Sequence, residues 1–461
     1  MIDVEVIETA SLGDRSYLAS DGEVAVVVDP QRDVDRVLAV AGRLGVRISH
    51  VVETHIHNDY VSGGLELSRL CGATYVVAQA DEVGFDRMAV TDGDVLTVSP
   101  QLRLRVLETP GHTFHHLSYV LEGPDGAQGV FTGGSLLYGT TGRTDLLGDE
   151  HAETLARAQH TSARTLAEAL PDGAQVWPTH GFGSFCTASP ASGDSSTLGR
   201  ERQVNPVLRL ARAEFVRQTL SGLGAYPAYY ARMGTLNNAG PAPVDLRPPA
   251  PVDPAELARR LRAGEWVIDL RSRKAYLACH LAGTVSLGLD GPMATWLGWM
   301  VPHDAPITLL GEDAAQVAQA RRELVRIGID RVVAAASGTP QDLTADPSQL
   351  TELPSASFAD LAGELAGRRA PDLPAAEVVL DVRLDTEWDA SHVRGAVHLP
   401  LPDLADRLTG VPPGVVWVHC GSGYRATAAA SMLTRAGRTV VVLDDTYDDA
   451  EDAGVPLTTG G

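Results

Sequence analysis

Four histidines in the first half of the chain lie on three short turns of similar make. THIHNDY carries His55, His57 and Asp59, TPGH carries His112, and WPTHG carries His180. Two imidazoles one residue apart in an extended turn can face one cation, and neutral imidazole is the commonest nitrogen ligand for zinc or iron. A single loop histidine is ordinarily solvated or hydrogen-bonded; three histidine-bearing turns together read as a metal site. A second constellation lies near the other end, where VVWVHCGSGYRATAAASML places Cys420 and Arg425 in a Gly-rich turn between an apolar run and a helical one. Inward-pointing N–H groups of such a turn, the helix N-terminus and Arg425 together favour a thiolate or an anionic sulfur adduct, so Cys420 reads as a nucleophile. Cys71 and Cys279, in apolar helical or strand-flanking settings, read as inert thiols.

Elements that could hold these turns are legible around them. SYLAS, EVAVVVD, SHVVET, TYVVAQA, VLTV, LRLRVLE, LSYVLE, GVFTG and QVWPTHG have strand composition, and residues 151–170 read as a polar-faced helix. The histidine turns therefore follow strands, at the edge of a sheet. Thr187 to Gly199 is Ser/Gly-rich and reads as a long exposed loop, and Pro241 to Pro254 as a stiff linker. Beyond it the chain repeats itself. WVIDLRSRKAYLACHLAGTVSL, from Trp266, matches VVLDVRLDTEWDASHVRGAVHL, from Val378, aligning Asp269 with Asp381, Arg271 with Arg383, His280 with His392 and Gly283 with Gly395. TPQDLTADPSQLTELPSAS between the copies reads as a second linker, giving domains at 1–240, 252–338 and 355–461. Counted forward through the repeat, the first copy has Gly311 opposite Cys420 and Gln316 opposite Arg425, so it lacks both nucleophile and cation and reads as scaffold or interface.

At 461 residues the chain exceeds one ordinary core, and about 100 to 200 residues per domain allows roughly three. A net charge of −22 argues against nucleic acid as a partner, because phosphate binding needs clustered Lys and Arg. The opening MIDVEVIETASLGDRSYLAS has no basic and apolar leader, and no stretch approaches the ~20 apolar residues that span a bilayer, so neither export nor a membrane partner is expected. Four widely spaced cysteines are expected to be reduced thiols, consistent with a cytoplasmic protein.

The order HxHxD, TPGH, FTGxS, GRTD and PxHG resembles the metallo-β-lactamase superfamily over about the first 240 residues. Within it, ETHIHNDYVSG, GRTD and HGFGSFC are most similar to persulfide dioxygenases fused to rhodanese domains, and DVR, HVRGAVHLP and CGSGYR resemble rhodanese sulfurtransferases over 355–461. The implied fold is α/β: an N-terminal αββα sandwich followed by two rhodanese-like domains. The resemblance also implies mononuclear Fe(II), with zinc as the alternative, held by the first His of HxH, the TPGH His and the Asp of FTGD. These map to His55, His112 and Gly134, and the last carries no ligand. His57, water, Asp59 or Asp145 then has to complete the shell alongside His55 and His112, with His180 a further candidate. Restoring a carboxylate by Gly134→Asp is expected to raise iron retention, provided the turn accepts a side chain. Tyr60 stands where many dinuclear hydrolases of the superfamily have a second-site histidine, which favours one metal and weakens a thioester-hydrolase reading of the glyoxalase II kind.

The activity implied is oxidation of glutathione persulfide or another small persulfide to sulfite, with Cys420 exchanging sulfur with persulfide, thiosulfate or sulfite. Cys186, just beyond His180, reads as a persulfide relay or as a buried structural thiol. Its rivals are thioester hydrolysis and a metal-degenerate scaffold tethered to one working rhodanese. Association with further copies of the chain is left open.

Overall fold

The computed structural model describes residues 2–189, 191, 193–370 and 372–460. The chain divides into two compact units, one running to Asp245 and including Val325–Gly328, the other holding Leu246–Leu324 and the chain from Ile329.

The first unit is built on two six-stranded sheets. One has β1 (Asp3–Thr9), β2 (Asp14–Ser20), β3 (Val24–Val28), β4 (Arg47–Val52), β5 (Thr74–Ala78) and β6 (Met88–Val90) in sequence order, antiparallel as far as β3 and parallel after it. The other comprises β7 (Val95–Thr97), β8 (Arg103–Glu108), β9 (Leu117–Gly123), β10 (Gly126–Gly133), β11 (Gln175–Pro178) and β12 (Ser196–Thr197), with β10 and β11 as its parallel pair. Side chains alternate across each strand, and the cores show it. Tyr17, Val26, Val28 and Val52 of the first sheet share a core with Leu104, Val106, Tyr119 and Phe131 of the second. The outward Leu18, Val27 and Val51 meet Val37 and Ala41 of α1 (Asp35–Leu44) and Leu65 of α2 (Gly64–Cys71). Val120, Val130 and Val176 meet Ala156, Ala163 and Leu166 of α3 (Asp149–Ala169). The layers are therefore αββα, and inner strands such as β2 and β3 are buried on both faces while β1, β6 and β7 stay part-exposed, which is why β3 reads VAVVV without alternation. Within Thr187–Gly199, Pro190 and Ser192 lie outside the described residues, and Ser196–Thr197 supplies β12.

The second unit contains the two sequence repeats, and each builds the same sheet. β13 (Ala250–Pro251), β14 (Trp266–Asp269), β16 (Val285–Ser286), β17 (Ile307–Gly311) and β18 (Val332–Ser337) are ordered β13-β18-β17-β14-β16, and β15 (His280–Leu281) pairs with β19 (Leu350–Thr351). The last repeat has β20 (Ser355–Ala356), β21 (Val378–Asp381), β23 (Val397–His398), β24 (Val416–His419) and β25 (Val440–Leu443) in the order β20-β25-β24-β21-β23, with β22 (His392–Val393) against β26 (Leu457–Thr458). Registers coincide too: Asp269 pairs with Leu310 and Asp381 with His419, which sets Gly311 at the place of Cys420. The segment read from sequence as a second linker is structured, because it supplies β19 and β20. Among the described residues no helix is long and apolar enough to cross a membrane.

Candidate functional site

Three turns, following β4, β8 and β11, bring His55, His112 and His180 together, so that one ligand nitrogen from each lies within 4.8 Å of the others. All three rings are buried, and each has its Nδ1 committed to an acceptor. His112 Nδ1 donates to the Arg143 carbonyl at 2.7 Å. His55 Nδ1 lies 2.9 Å from Thr54 Oγ1, whose own proton goes to Asp29 Oδ2, so the hydroxyl accepts. His180 Nδ1 sits between Asp14, 2.9 Å away, and Asp59, 3.1 Å away. Nε2 of each ring is left for the shared space; that of His112 is buried without a partner, and those of His55 and His180 approach to 3.4 Å. Two nitrogens each about 2.0–2.1 Å from one tetrahedral ion stand about 3.3 Å apart, so the donor set fits a divalent metal. Oriented Nδ1 acceptors are what metal-ligating histidines ordinarily have behind them.

Burial holds the pKa of His55 well below the ordinary imidazole range and takes that of His112 down to about 3, which keeps both as neutral ligands. Burial acts the same way on His180, but Asp59 and Asp14 outweigh it and push its pKa up to about 10; a cation at Nε2 competes with that proton. His57 is arranged differently. Its Nε2 faces Asp29 at 3.3 Å, Glu53 at 3.2 Å and the Tyr60 hydroxyl at 3.0 Å, and the Tyr60 ring stacks on it. Burial disfavours charge there, yet the two carboxylates take the pKa up to about 9, leaving only Nδ1 without a partner. Two further groupings share these residues: His57, Asp59 and His180, and Asp29, Glu53 and His57.

In the second unit Cys420 follows β24, 1% exposed, and the Ala426 N–H donates to its Sγ at 3.4 Å. The turn closes through Gly423 at φ +87°, a conformation other residues adopt at a cost, and opens directly into the helix Tyr424–Arg435. Arg425 is paired at both ends of its guanidinium with Glu387, at 2.5 and 2.7 Å. Asp381 and Arg383 beneath the turn form a buried pair, as Asp269 and Arg271 do in the other repeat.

The sequence profile of the metallo-beta-lactamase superfamily matches residues 15–180, and that of the rhodanese-like domain matches 362–453. The mitochondrial persulfide dioxygenase of Homo sapiens is 31% identical over 239 residues, covering 51% of this chain and 82% of that protein. A hydroxyacylglutathione hydrolase of Cupriavidus taiwanensis is 31% identical over 236 residues, covering 45% and 86%. The crystal structure of a metallo-beta-lactamase from Staphylococcus aureus subsp. aureus COL aligns at a TM-score of 0.65 with 30% identity, over 73% of this chain and 99% of that one. The chain belongs to the metallo-beta-lactamase superfamily. It also carries a C-terminal rhodanese-like domain, while the preceding repeat is known from its matching strand order.

Against this fold the sequence candidates separate. His55 and His112 meet at the strand ends with His180 as the third member, while His57 is turned to carboxylates. Asp59 joins through His180. Asp145 is in none of the groupings, because both its oxygens take Arg143, whose carbonyl in turn orients His112. Cys186 is buried beside Asp59 and Tyr230, and burial, with Asp59, pushes its thiol pKa well above the ordinary value. The expectation for Gly134→Asp fails on packing. A Cβ there would stand 2.2 Å from His112 Cδ2 and 2.9 Å from its Nε2, so any side chain at 134 displaces a ligand ring.

Asp29, Glu53, Asp14 and His116 were not found from sequence. Asp29 ends the buried run VAVVV at φ +50° and ties Thr54 and Thr179, the residues before His55 and His180, to one carboxylate. His116 stacks on His55 but accepts from the Gly134 N–H through Nε2, so it is a wall and not a ligand. The signal available for Asp29 was its position, an acid closing an apolar strand like the histidine turns.

Proposed function

We propose that the chain is a sulfur-oxidising enzyme that uses a small-molecule persulfide at the histidine centre and exchanges sulfane sulfur at Cys420. The observation that carries this reading is the convergence of His55, His112 and His180, each held through Nδ1, in a chain that also presents Cys420 on a strand-to-helix turn. The persulfide dioxygenase among its relatives and the rhodanese-like domain support it. Three imidazole nitrogens, that of His180 freed of its proton by the cation, suit ferrous iron. Iron bound there supplies the redox chemistry by which O₂ takes persulfide, with water, to sulfite, the thiol and two protons. The protein's part is to keep His55 and His112 unprotonated, to exclude bulk water, and to hold His180 between Asp14 and Asp59. At Cys420 the thiolate attacks the outer sulfur of a donor, an Sγ–S bond forms, and the donor S–S bond breaks with its electron pair leaving on the thiolate or sulfite. Thioester hydrolysis, the reading suggested by the hydroxyacylglutathione hydrolases, is disfavoured because Tyr60 lies flat on His57 and offers a phenol whose pKa burial keeps far above neutrality.

Metal analysis of anaerobically iron-loaded protein tests this. Wild type is expected to retain about one metal ion per chain and to consume O₂ with glutathione persulfide; His55→Ala, His112→Ala and His180→Ala should each lose the metal, and His57→Ala should lose less. Equal metal content in all variants would remove the site. Loaded protein that hydrolyses S-lactoylglutathione without taking up O₂ would favour the hydrolase, and protein without metal or O₂ uptake a scaffold.

A further inference from the structure

The two repeats of the second unit form an internal comparison, because they share a frame and differ at a site. Both keep the buried Asp–Arg pair after the first central strand, Asp269–Arg271 and Asp381–Arg383. Both stack a histidine on an aromatic ring, His280 on Tyr276 at 3.8 Å and His392 on Trp388 at 3.5 Å. They part throughout the turn, CGSGYR against GEDAAQ, and in the helix after the first central strand, and three of these differences carry chemistry. Cys420, Arg425 and Glu387 of the last repeat stand where the other has Gly311, Gln316 and Ala275. The helix carrying Ala275, Arg273–Ala278, forms without the acid, so the fold does not need Glu387; the acid accompanies the thiol and the guanidinium.

Its placement says what it does there. Glu387 grips Arg425 by both ends, and a Cβ built on Gly421 would lie 3.2 Å from Arg425 and 3.8 Å from Glu387, so the pair lies directly beside the turn that bears Cys420. At the other side of the turn, beside Gly423, Arg273 of the first repeat is matched by Asp444 at 2.6 Å. The guanidinium carbon of Arg425 stands 5.5 Å from the ring of Trp296, which the first repeat supplies. The thiol site is thus flanked by two arginines, each already paired with a carboxylate, with the buried Trp296 indole behind Arg425.

We propose that Glu387 is a specificity-determining residue for sulfur loading on Cys420, selecting thiol-bound persulfides over thiosulfate; this rests on the sulfurtransferase reading of Cys420. In either reaction the Cys420 thiolate attacks the outer sulfur, forming Sγ–S and breaking the donor's S–S bond. From a persulfide the electron pair departs on one thiolate sulfur, whereas from thiosulfate it departs on sulfite, a dianion. A guanidinium held bidentately by a carboxylate has its best donors committed, and a dianion must either displace Glu387 or sit beside it. A persulfide departs as a single thiolate and makes no such demand on the cation.

The test uses the full chain and reads the gain of sulfur on Cys420 by mass spectrometry in single turnovers, with thiosulfate or glutathione persulfide as donor over a range of concentrations. Glu387→Gln, which keeps the shape and removes the charge, should lower the half-saturating thiosulfate concentration about tenfold, the partly exposed mouth screening any larger effect, and leave that for the persulfide within about twofold. Glu387→Asp, which keeps the charge, should retain the wild-type preference; Glu387→Ala replaces the Gln variant if that does not fold. A change equal for both donors, or weaker use of thiosulfate, would overturn the assignment and reduce Glu387 to a packing role. Wild type that loads sulfur from neither donor would instead bring down the sulfurtransferase reading, and this proposal with it.

Discussion

Gly134 and the His112 ring are in closer contact than any side chain at 134 would allow, and this near approach fixes the ring as much as its hydrogen bond to Arg143 does. Gly134→Ala is therefore expected to push His112 off its position, lowering metal retention and costing about 1–3 kcal/mol by overpacking. Metal content and the thermal midpoint, measured together, check this; an Ala variant equal to wild type in both would show that the ring can yield. Of the residues in this site, His55, His112 and His180 were legible because each follows a strand in a recognisable turn. Asp29 and Glu53 were not, since an acid at the end of an apolar run has no spacing that separates a buried pairing role from a solvated one. The pairing of His180, and not His57, with His55 and His112 was also illegible, because ring direction depends on which carboxylates lie behind it.

At the level of elements, the buried Asp–Arg pair shows which parts of the repeat serve the frame. Asp269 takes Arg271 through both oxygens, and Arg271 also reaches the carbonyl of Cys279, so the pair fastens the end of β14 to the start of β15 with no nucleophile in the repeat to serve. Asp269→Ala should leave a buried guanidinium unmatched and destabilise the unit by about 3 kcal/mol. A shift in its denaturation midpoint, with metal content of the first unit unchanged, is the expected result; an unshifted midpoint would make the pair ornamental. The strands themselves were legible from composition, and the layers followed. What sequence could not give was β19 and β20, because two-residue strands in a Pro- and Ser-rich stretch look like linker until a partner edge is present to pair with them.

At the scale of the molecule, one repeat has been kept without its thiol, and that loss is not a single substitution. Gly311→Cys in a Cys420→Ser background should restore no sulfur transfer from thiosulfate to cyanide, since Gln316 and Ala275 supply neither cation nor counter-charge and the new Cβ would meet Gln316 and Val317 at 3.2 Å. Transfer above the Cys420→Ser background would show that the turn alone suffices. The duplicated sheet has a further consequence, for how the unit assembles. Every pairing within its two five-stranded sheets is parallel, so partners such as Trp266 and Ile307, or Val378 and Val416, meet only after a crossover has closed. During that search a strand meets two templates of the same order and polarity, its own and its neighbour's. Backbone pairing cannot tell them apart; only side-chain fit can, as where Trp417 must seat against Phe358 and Val441. Folding of this unit is thus a competition between equivalent docking edges, in which chains that choose wrongly must unpair before they can finish.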